Sequence, residues 1–316
     1  MILEILVIQV GIKYIITLKI LNGYFLGKSN LINLMKAIKV FVLLLSFYSF
    51  TQEAIKPFGS LDGDWILDES FSDEFNKSKL DADKWWDFNP AWHGRKPSHF
   101  ARSNVKVKKG LLRLSAKNLD PKKVNIYDKA RGYDKFSTAI IKSKNRSFYG
   151  YYEARAKSMT AAVCNAFWLY DPLEESVKYR EGEYSEEIDI FEVFGKANKK
   201  ENQRAYYAAV HRYQTPYVES LVNKKKYKLE NRYTRLEVPY DFYEDFHIYG
   251  LLWTPDELIW YLDGEEVFRR VNDFFKRPLH VIFDAEIMET WDGLPNPDDL
   301  PSTFEVDYVR VWRPKK

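Results

Sequence analysis

The feature that most limits how this chain can fold is the spacing of its turn residues. From residue 60 onward, short runs rich in Val, Ile, Tyr, Phe and Trp are broken by Gly, Asp, Asn and Pro, and no long stretch keeps a helical period. "NVKVKKGLLRLSAKN" (104–118) alternates apolar and polar residues on both sides of Gly110, the pattern of a hairpin. "STAIIKSK" (137–144) and "YGYYEARAKS" (149–158) follow in the same style, whereas "NAFWLYD" (165–171) is a continuous apolar run, as a strand covered on both faces requires. "RAYYAAVHRY" (204–213), "HIYGLLWT" (247–254), "ELIWYLDGEEVFRRV" (257–271), "LHVIFDAE" (279–286) and "FEVDYVRVW" (304–312) complete the set. Within them, Asp263-Gly264 suits the positive φ of a two-residue hairpin turn. About a dozen short strands without an internal repeat predict an all-β fold, a single jelly-roll β-sandwich over residues 60–316. The charged stretches 172–185 and 219–242 are expected to be loops.

Composition permits such a core. Hydrophobic residues make up 46% of the 316, and 9 Trp, 22 Tyr and 21 Phe leave aromatics over for a binding surface. With 48 basic against 45 acidic residues the net charge is only +3, which gives no footprint for nucleic acid. The short basic cluster Lys224–Lys226 reads as a solvated loop. Cys164 is the only cysteine, so no intrachain disulfide can form, and its apolar setting makes it a small buried residue. From Met35 the chain reads "MKAIKVFVLLLSFYSFTQEA": two lysines, an apolar run, then small and polar residues. That layout predicts a signal peptide over 35–51, with residues 1–34 an upstream extension outside the mature protein. The rival reading is a membrane anchor built from the first apolar stretch, which Lys13 and Lys19 interrupt. Export places the protein in the periplasm, on the outer surface or outside the cell.

"EEIDIFEVFG" (186–195) sets a sharper question, because Glu187, Asp189 and Glu192 are threaded through strand-like Ile188, Ile190, Phe191 and Val193. Carboxylates are costly to desolvate and normally keep to a solvated face. A helix capped by Gly195 fits the apolar positions too, but the β-branched and aromatic residues and the strand-rich surroundings favour a strand. In a strand, Glu187 and Asp189 share a face, and residue 191 should follow them. It is Phe, and the acid is Glu192; one extra residue at Ile190–Phe191, a β-bulge, would return Glu192 to that face. Two glutamates around an aspartate suit retaining glycoside hydrolysis, which needs an ionised nucleophile and a protonated acid roughly 5 Å apart. Strand rise alone separates the Cα atoms by about 13 Å over four steps, so side-chain length, twist and bulge must close the gap. Asp189 would repel charge on its neighbours and tune when each ionises.

"EEIDIFE" resembles the E-x-D-x-x-E signature of family 16 glycoside hydrolases, and "FSDEFN" (71–76), "GYYEARAK" (150–157), "NAFWL" (165–169), "YGLLWTPDELIWYLDGEEV" (249–267) and "FEVDYVRVW" resemble family segments in the family's order. The resemblance spans roughly residues 60–314. It implies a jelly roll of the concanavalin A-like lectin/glucanase type, endo action with retention of configuration, Glu187 as nucleophile, Asp189 as helper and Glu192 as general acid/base. "WHGRKPSHFARSNVKVKKGLLRL" (92–114) and the ending "AEIMETWDGLPNPDDLPSTFEVDYVRVW" resemble the beta-agarase and beta-porphyranase branch, whose members cut β-1,4 bonds in red-algal galactans.

A sugar cleft needs aromatic faces and orienting polar groups. Trp92, Trp168 and Trp291 are the stacking candidates, each with core packing as its ordinary alternative. Arg95 can bind a sulfate or hydroxyls with its planar fork, or simply form a surface ion pair. Arg180, in the insertion before the catalytic strand, and His211, on the strand after it, are further substrate-binding candidates. The resemblance also implies a structural calcium on Asp307 and the carbonyl of Gly110, with no cofactor required for catalysis. The expected partner is a polysaccharide, acted on by a monomer without a protein partner. Laminarinase or kappa-carrageenase activity on the same scaffold and a non-catalytic carbohydrate-binding jelly roll are the competing readings. The charged insertion "DPLEESVKYREGEYS" (171–185) departs from simple agarases and bears on which polysaccharide is cut.

Overall fold

A computed structural model of the chain describes residues 2–10, 13–21, 56–59, 61–171, 184–214 and 228–315. It divides into two compact units, Met1–Ile55 and Lys56–Lys316. In the first, β1 (Ile2–Val10) and β2 (Lys13–Leu21) form an antiparallel hairpin in which Val10 faces Lys13. The stretch containing Lys13 and Lys19 is therefore a strand pair, and no helix among the described residues is long and apolar enough to cross a membrane. The expected signal segment 35–51 lies outside the described residues.

The second unit opens with β3 (Trp65–Leu67), β4 (Trp85–Trp86), β5 (Ser98–Phe100), β6 (Val105–Lys108), β7 (Leu111–Asn118) and one short helix, α1 (Ile126–Arg131). Then come β8 (Phe136–Ser147), β9 (Gly150–Lys157), β10 (Cys164–Asp171), β11 (Tyr184–Phe194), β12 (Ala205–Gln214) and β13 (Lys228–Glu237). It closes with β14 (His247–Trp253), β15 (Glu257–Leu262), β16 (Glu265–Val271), β17 (Leu279–Glu286) and β18 (Ser302–Pro314). Hydrogen bonding runs in the order β13-β12-β11-β10-β17-β8, then β7-β18-β9-β14-β15-β16. Among the described residues the halves join through Lys117 opposite Ser137 and Asn118 opposite Phe136, and the sheet folds over at that edge into a jelly-roll sandwich.

The expected hairpins form where turn chemistry demands them. Lys109 and Gly110 take φ of 58° and 73° between β6 and β7, and Asp263 and Gly264 take 50° and 87° between β15 and β16. The short strands β3, β4 and β5 are not among the expected ones, and β13 and α1 differ more plainly. The supposed loop 219–242 contains β13, whose exposed Arg232, Tyr233, Thr234 and Arg235 hide the strand from a hydrophobicity pattern, as is usual at a sheet edge. Helix α1 is set by its ends: the Asn125 side chain accepts from Asp128 N–H, and Gly132 closes it at φ 80°.

Between the two layers Phe167 stacks on Phe283 at 4.3 Å, and Phe191 meets Tyr249 at 3.9 Å and Phe304 at 6.1 Å. Phe191 belongs to the irregular part of β11. Against β12, Asp189 faces Ala209 and Glu192 faces Tyr207, so Ile190 and Phe191 together oppose one residue; against β10, the register slips between Phe167 and Trp168. This is the expected bulge, and it turns two consecutive apolar residues into the core while Asp189 and Glu192 stay on the outer face. The carbonyls it frees find donors across the core. Trp260 Nε1 on β15 donates to Asp189 O at 2.9 Å, and the Tyr206 hydroxyl on β12 donates to Ile190 O at 2.5 Å. Tyr206→Phe should leave a buried carbonyl unsatisfied and lower stability by about 1–3 kcal/mol; chemical denaturation measures this, and an unchanged unfolding midpoint would contradict the assigned role.

Candidate active site

The outer face of the six-stranded layer carries a cleft of about 400 Å³. Period-two alternation places Ala166, Trp168 and Tyr170 of β10 in it, opposite Glu192, Asp189 and Glu187 of β11 in register. One wall is the β4–β5 connection, which contributes Asn89, Ala91, Trp92 and Arg95. Gly94 fixes that wall. Its φ is 129°, and a Cβ there would come within 2.9 Å of His99 Cα and 3.0 Å of Phe100 N, so only glycine lets the loop lie against β5. Trp92 rests edge-on against Phe100 at 5.0 Å, with the Arg95 guanidinium 5.8 Å from the Trp92 ring centre.

Glu187, Asp189, Glu192, Trp92, Arg95 and Trp168 are thus brought together on one cleft. His211 joins them: it faces Glu187 across β12, with Nε2 3.1 Å from Asp189 Oδ2 and 3.7 Å from Glu187 Oε1. Trp291 is placed elsewhere, packed edge-on against Phe194 at 5.0 Å and Tyr207 at 4.8 Å rather than on the cleft wall. Arg180 lies outside the described residues. Asp307 accepts a 2.7 Å hydrogen bond from Arg155 Nη1, and Gly110 occupies the β6–β7 turn.

Several site residues escaped the sequence reading, above all Glu286 and Asp284 on β17 and Tyr170 on β10. The signal was present in "FDAE", where two acids two residues apart in a strand share a face, the argument applied to Glu187 and Asp189. Glu286 accepts from Arg95 Nε at 2.5 Å, so Arg95 is both cleft wall and ion-pair partner. Cys164, buried as expected, sits with Sγ 3.8 Å from Glu192 Oε1.

The electrostatics raise both glutamates. Burial, reinforced by Asp189 and opposed by His211, pushes Glu187 up to about 8. Burial, then Asp189, then Glu286, push Glu192 up to about 8, with His211 and Arg95 opposing. The cluster titrates as a unit, so the raised proton affinity belongs to the pair. The His211 imidazole opposes the rise at both glutamates and lies nearest Glu187, while Glu286 adds to the rise at both. Asp284, fully buried, is also pushed well above the carboxylate range by desolvation and by Glu286. The cleft thus gathers two carboxyl groups of raised proton affinity, a pair suited to proton transfer and nucleophilic attack. Glu187, Asp189 and His211 also bring three donor atoms within 4.8 Å of one another, a set able to hold a metal ion.

A family model described as the GH16 domain of beta-porphyranases A–D matches residues 65–314. The chain belongs to glycoside hydrolase family 16, among the endo-glycosidases of the porphyranase, agarase and carrageenase group. It is 29% identical over 300 residues to beta-porphyranase B of Phocaeicola plebeius, covering 84% of this chain and 90% of that protein. It is 28% identical over 289 residues to the kappa-carrageenase of Pseudoalteromonas carrageenovora, covering 86% and 70%. The crystal structure of a beta-porphyranase from the human gut bacterium Bacteroides plebeius superposes with a TM-score of 0.67 at 26% identity, covering 84% of this chain and 98% of that one.

Glu286→Gln removes a negative charge that helps keep Glu192 protonated. The alkaline limb of the kcat/KM profile should move to lower pH; a limb that stays in place or moves up would show that Glu286 does not govern the acid.

Proposed function

We propose that this protein is a secreted, retaining endo-hydrolase of a sulfated red-algal galactan, with porphyran as the preferred substrate. The observation that carries the reading is the bulged β11, which presents Glu187 and Glu192 on one face with Asp189 between them, in a cleft walled by Trp92 and Arg95. In the first step a Glu187 oxygen attacks the anomeric carbon while Glu192 gives its proton to the departing glycosidic oxygen. In the second, Glu192 takes a proton from water, the water oxygen attacks the same carbon, and the bond to Glu187 breaks, so configuration is retained. Asp189, 3.1 Å from His211 Nε2, adds the negative charge that raises the proton affinity of both glutamates. Trp92 and Trp168 stack on sugar rings, and the Arg95 guanidinium, anchored by Glu286 through Nε, turns its remaining N–H groups to a sulfate. A polysaccharide too large to enter the cell explains the export segment beginning at Met35.

The kappa-carrageenase relative supports a second reading, since kappa-carrageenan would offer Arg95 a sulfate as well. A panel of porphyran, agarose, kappa-carrageenan and laminarin separates these. Oligosaccharides should be released from porphyran, and activity should fall at least about 1,000-fold in Glu187→Gln with the fold intact. Arg95→Ala should raise KM for porphyran far more than for agarose. Release from kappa-carrageenan alone would move the substrate to that polymer, and laminarin alone would overturn the galactan reading. No product with polysaccharide binding intact would make the protein a binding module.

A further inference from the structure

On the far side of the cleft loop three metal-competent side chains converge. His93 sits between cleft residues Trp92 and Arg95, His99 is on β5 and Asp128 is in α1. One donor atom from each lies within 4.8 Å of the others, and His93 Nε2 is 2.9 Å from Asp128 Oδ1. The two imidazole rings stack 5.4 Å apart at 18°. Asp128 is only 8% exposed. Burial works against its ionisation, but hydrogen bonds from Asn125 and His93 prevail and hold the carboxyl below its usual range. His99 Nδ1 is buried without a hydrogen-bond partner among the described residues, an expensive state for a ring nitrogen.

Each ligand is fixed by its own local constraint. Phe100 N–H donates to His93 O at 2.9 Å, and Gly94 allows the close approach that this bond needs. Asn125 caps α1 through Asp128 N–H at 2.8 Å, which orients the carboxylate. The cluster borders a pocket of about 290 Å³ lined by His99, Asn118, Asp120 and Asp128.

We propose that His93, His99 and Asp128 bind a divalent transition metal, zinc by their ligand chemistry, and that the ion fastens the loop carrying Trp92 and Arg95 to α1. Two neutral imidazoles and a carboxylate, completed by water from the adjoining pocket, form a set that zinc accepts; calcium and magnesium ask for oxygen ligands throughout. Bonds of about 2.0–2.1 Å place tetrahedral donors roughly 3.3 Å apart, so donor atoms that now lie within 4.8 Å of one another would draw together around the ion. The broad sp³–sp² torsion of each imidazole permits such an adjustment. The ion would satisfy the buried His99 nitrogen and convert the His93–Asp128 contact into a shared coordination sphere.

The test uses the full chain, stripped with a chelator and titrated with Zn²⁺ by calorimetry and with Co²⁺ by visible absorption. One equivalent should bind, with the intense visible bands of tetrahedral cobalt. Zinc affinity should fall at least about 100-fold in His99→Gln and in Asp128→Asn, both matched to wild type in chelator by circular dichroism and Tm. Glu187→Gln should leave zinc binding unchanged, which separates this cluster from the donors around His211. Absence of binding at millimolar zinc, binding untouched by both ligand variants, or binding lost in Glu187→Gln would each overturn the proposal.

Discussion

The two hydrogen bonds that Trp260 and Tyr206 donate into the β11 bulge are the constraint from which the site follows. A strand that inserts a residue breaks its ladder and frees carbonyls, and a freed carbonyl in a dry core is costly. Here one donor comes from the opposite layer of the sandwich and the other from the neighbouring strand, so the irregularity is secured from two directions. Ile190 and Phe191 both point inward as a result, and Phe191 is gripped by Tyr249 and Phe304. Without the extra residue, strand alternation would send Glu192 into that aromatic core, where an unpaired carboxylate could not stay ionised.

On the outer face the same geometry crowds acids together. Asp189 lies between two glutamates, and Glu286 and Asp284 from β17 approach from the side. Mutual repulsion and burial raise the affinity for protons, and His211 and Arg95 oppose that rise. His211 stands against Glu187 and Asp189, and Arg95 against Glu286.

Much of this was legible in the chain. The turn spacing gave the strand set, and the misfit of Glu192 in a two-residue alternation located the bulge before any coordinates. β13 was missed because a solvated edge strand has no apolar face to betray it. Glu286 was missed although "FDAE" carries the same i, i+2 pairing of acids as "EID", because attention to a single acidic segment cannot show that a strand distant in sequence lies beside it. Trp291 illustrates the opposite ambiguity. A large aromatic near a sugar cleft is as easily a packing residue, and the partners that decide the matter, Phe194 and Tyr207, come from other strands.

The central claim is that the bulge makes two glutamates on one strand into a nucleophile and an acid. The most direct measurement is peptide mapping by mass spectrometry after trapping with a 2-fluoro glycosyl substrate, using Glu192→Gln to slow release of the sugar. A glycosyl adduct on the peptide carrying Glu187 is predicted. An adduct on Glu192 or Glu286, or inverted product with no adduct, would contradict the assignment.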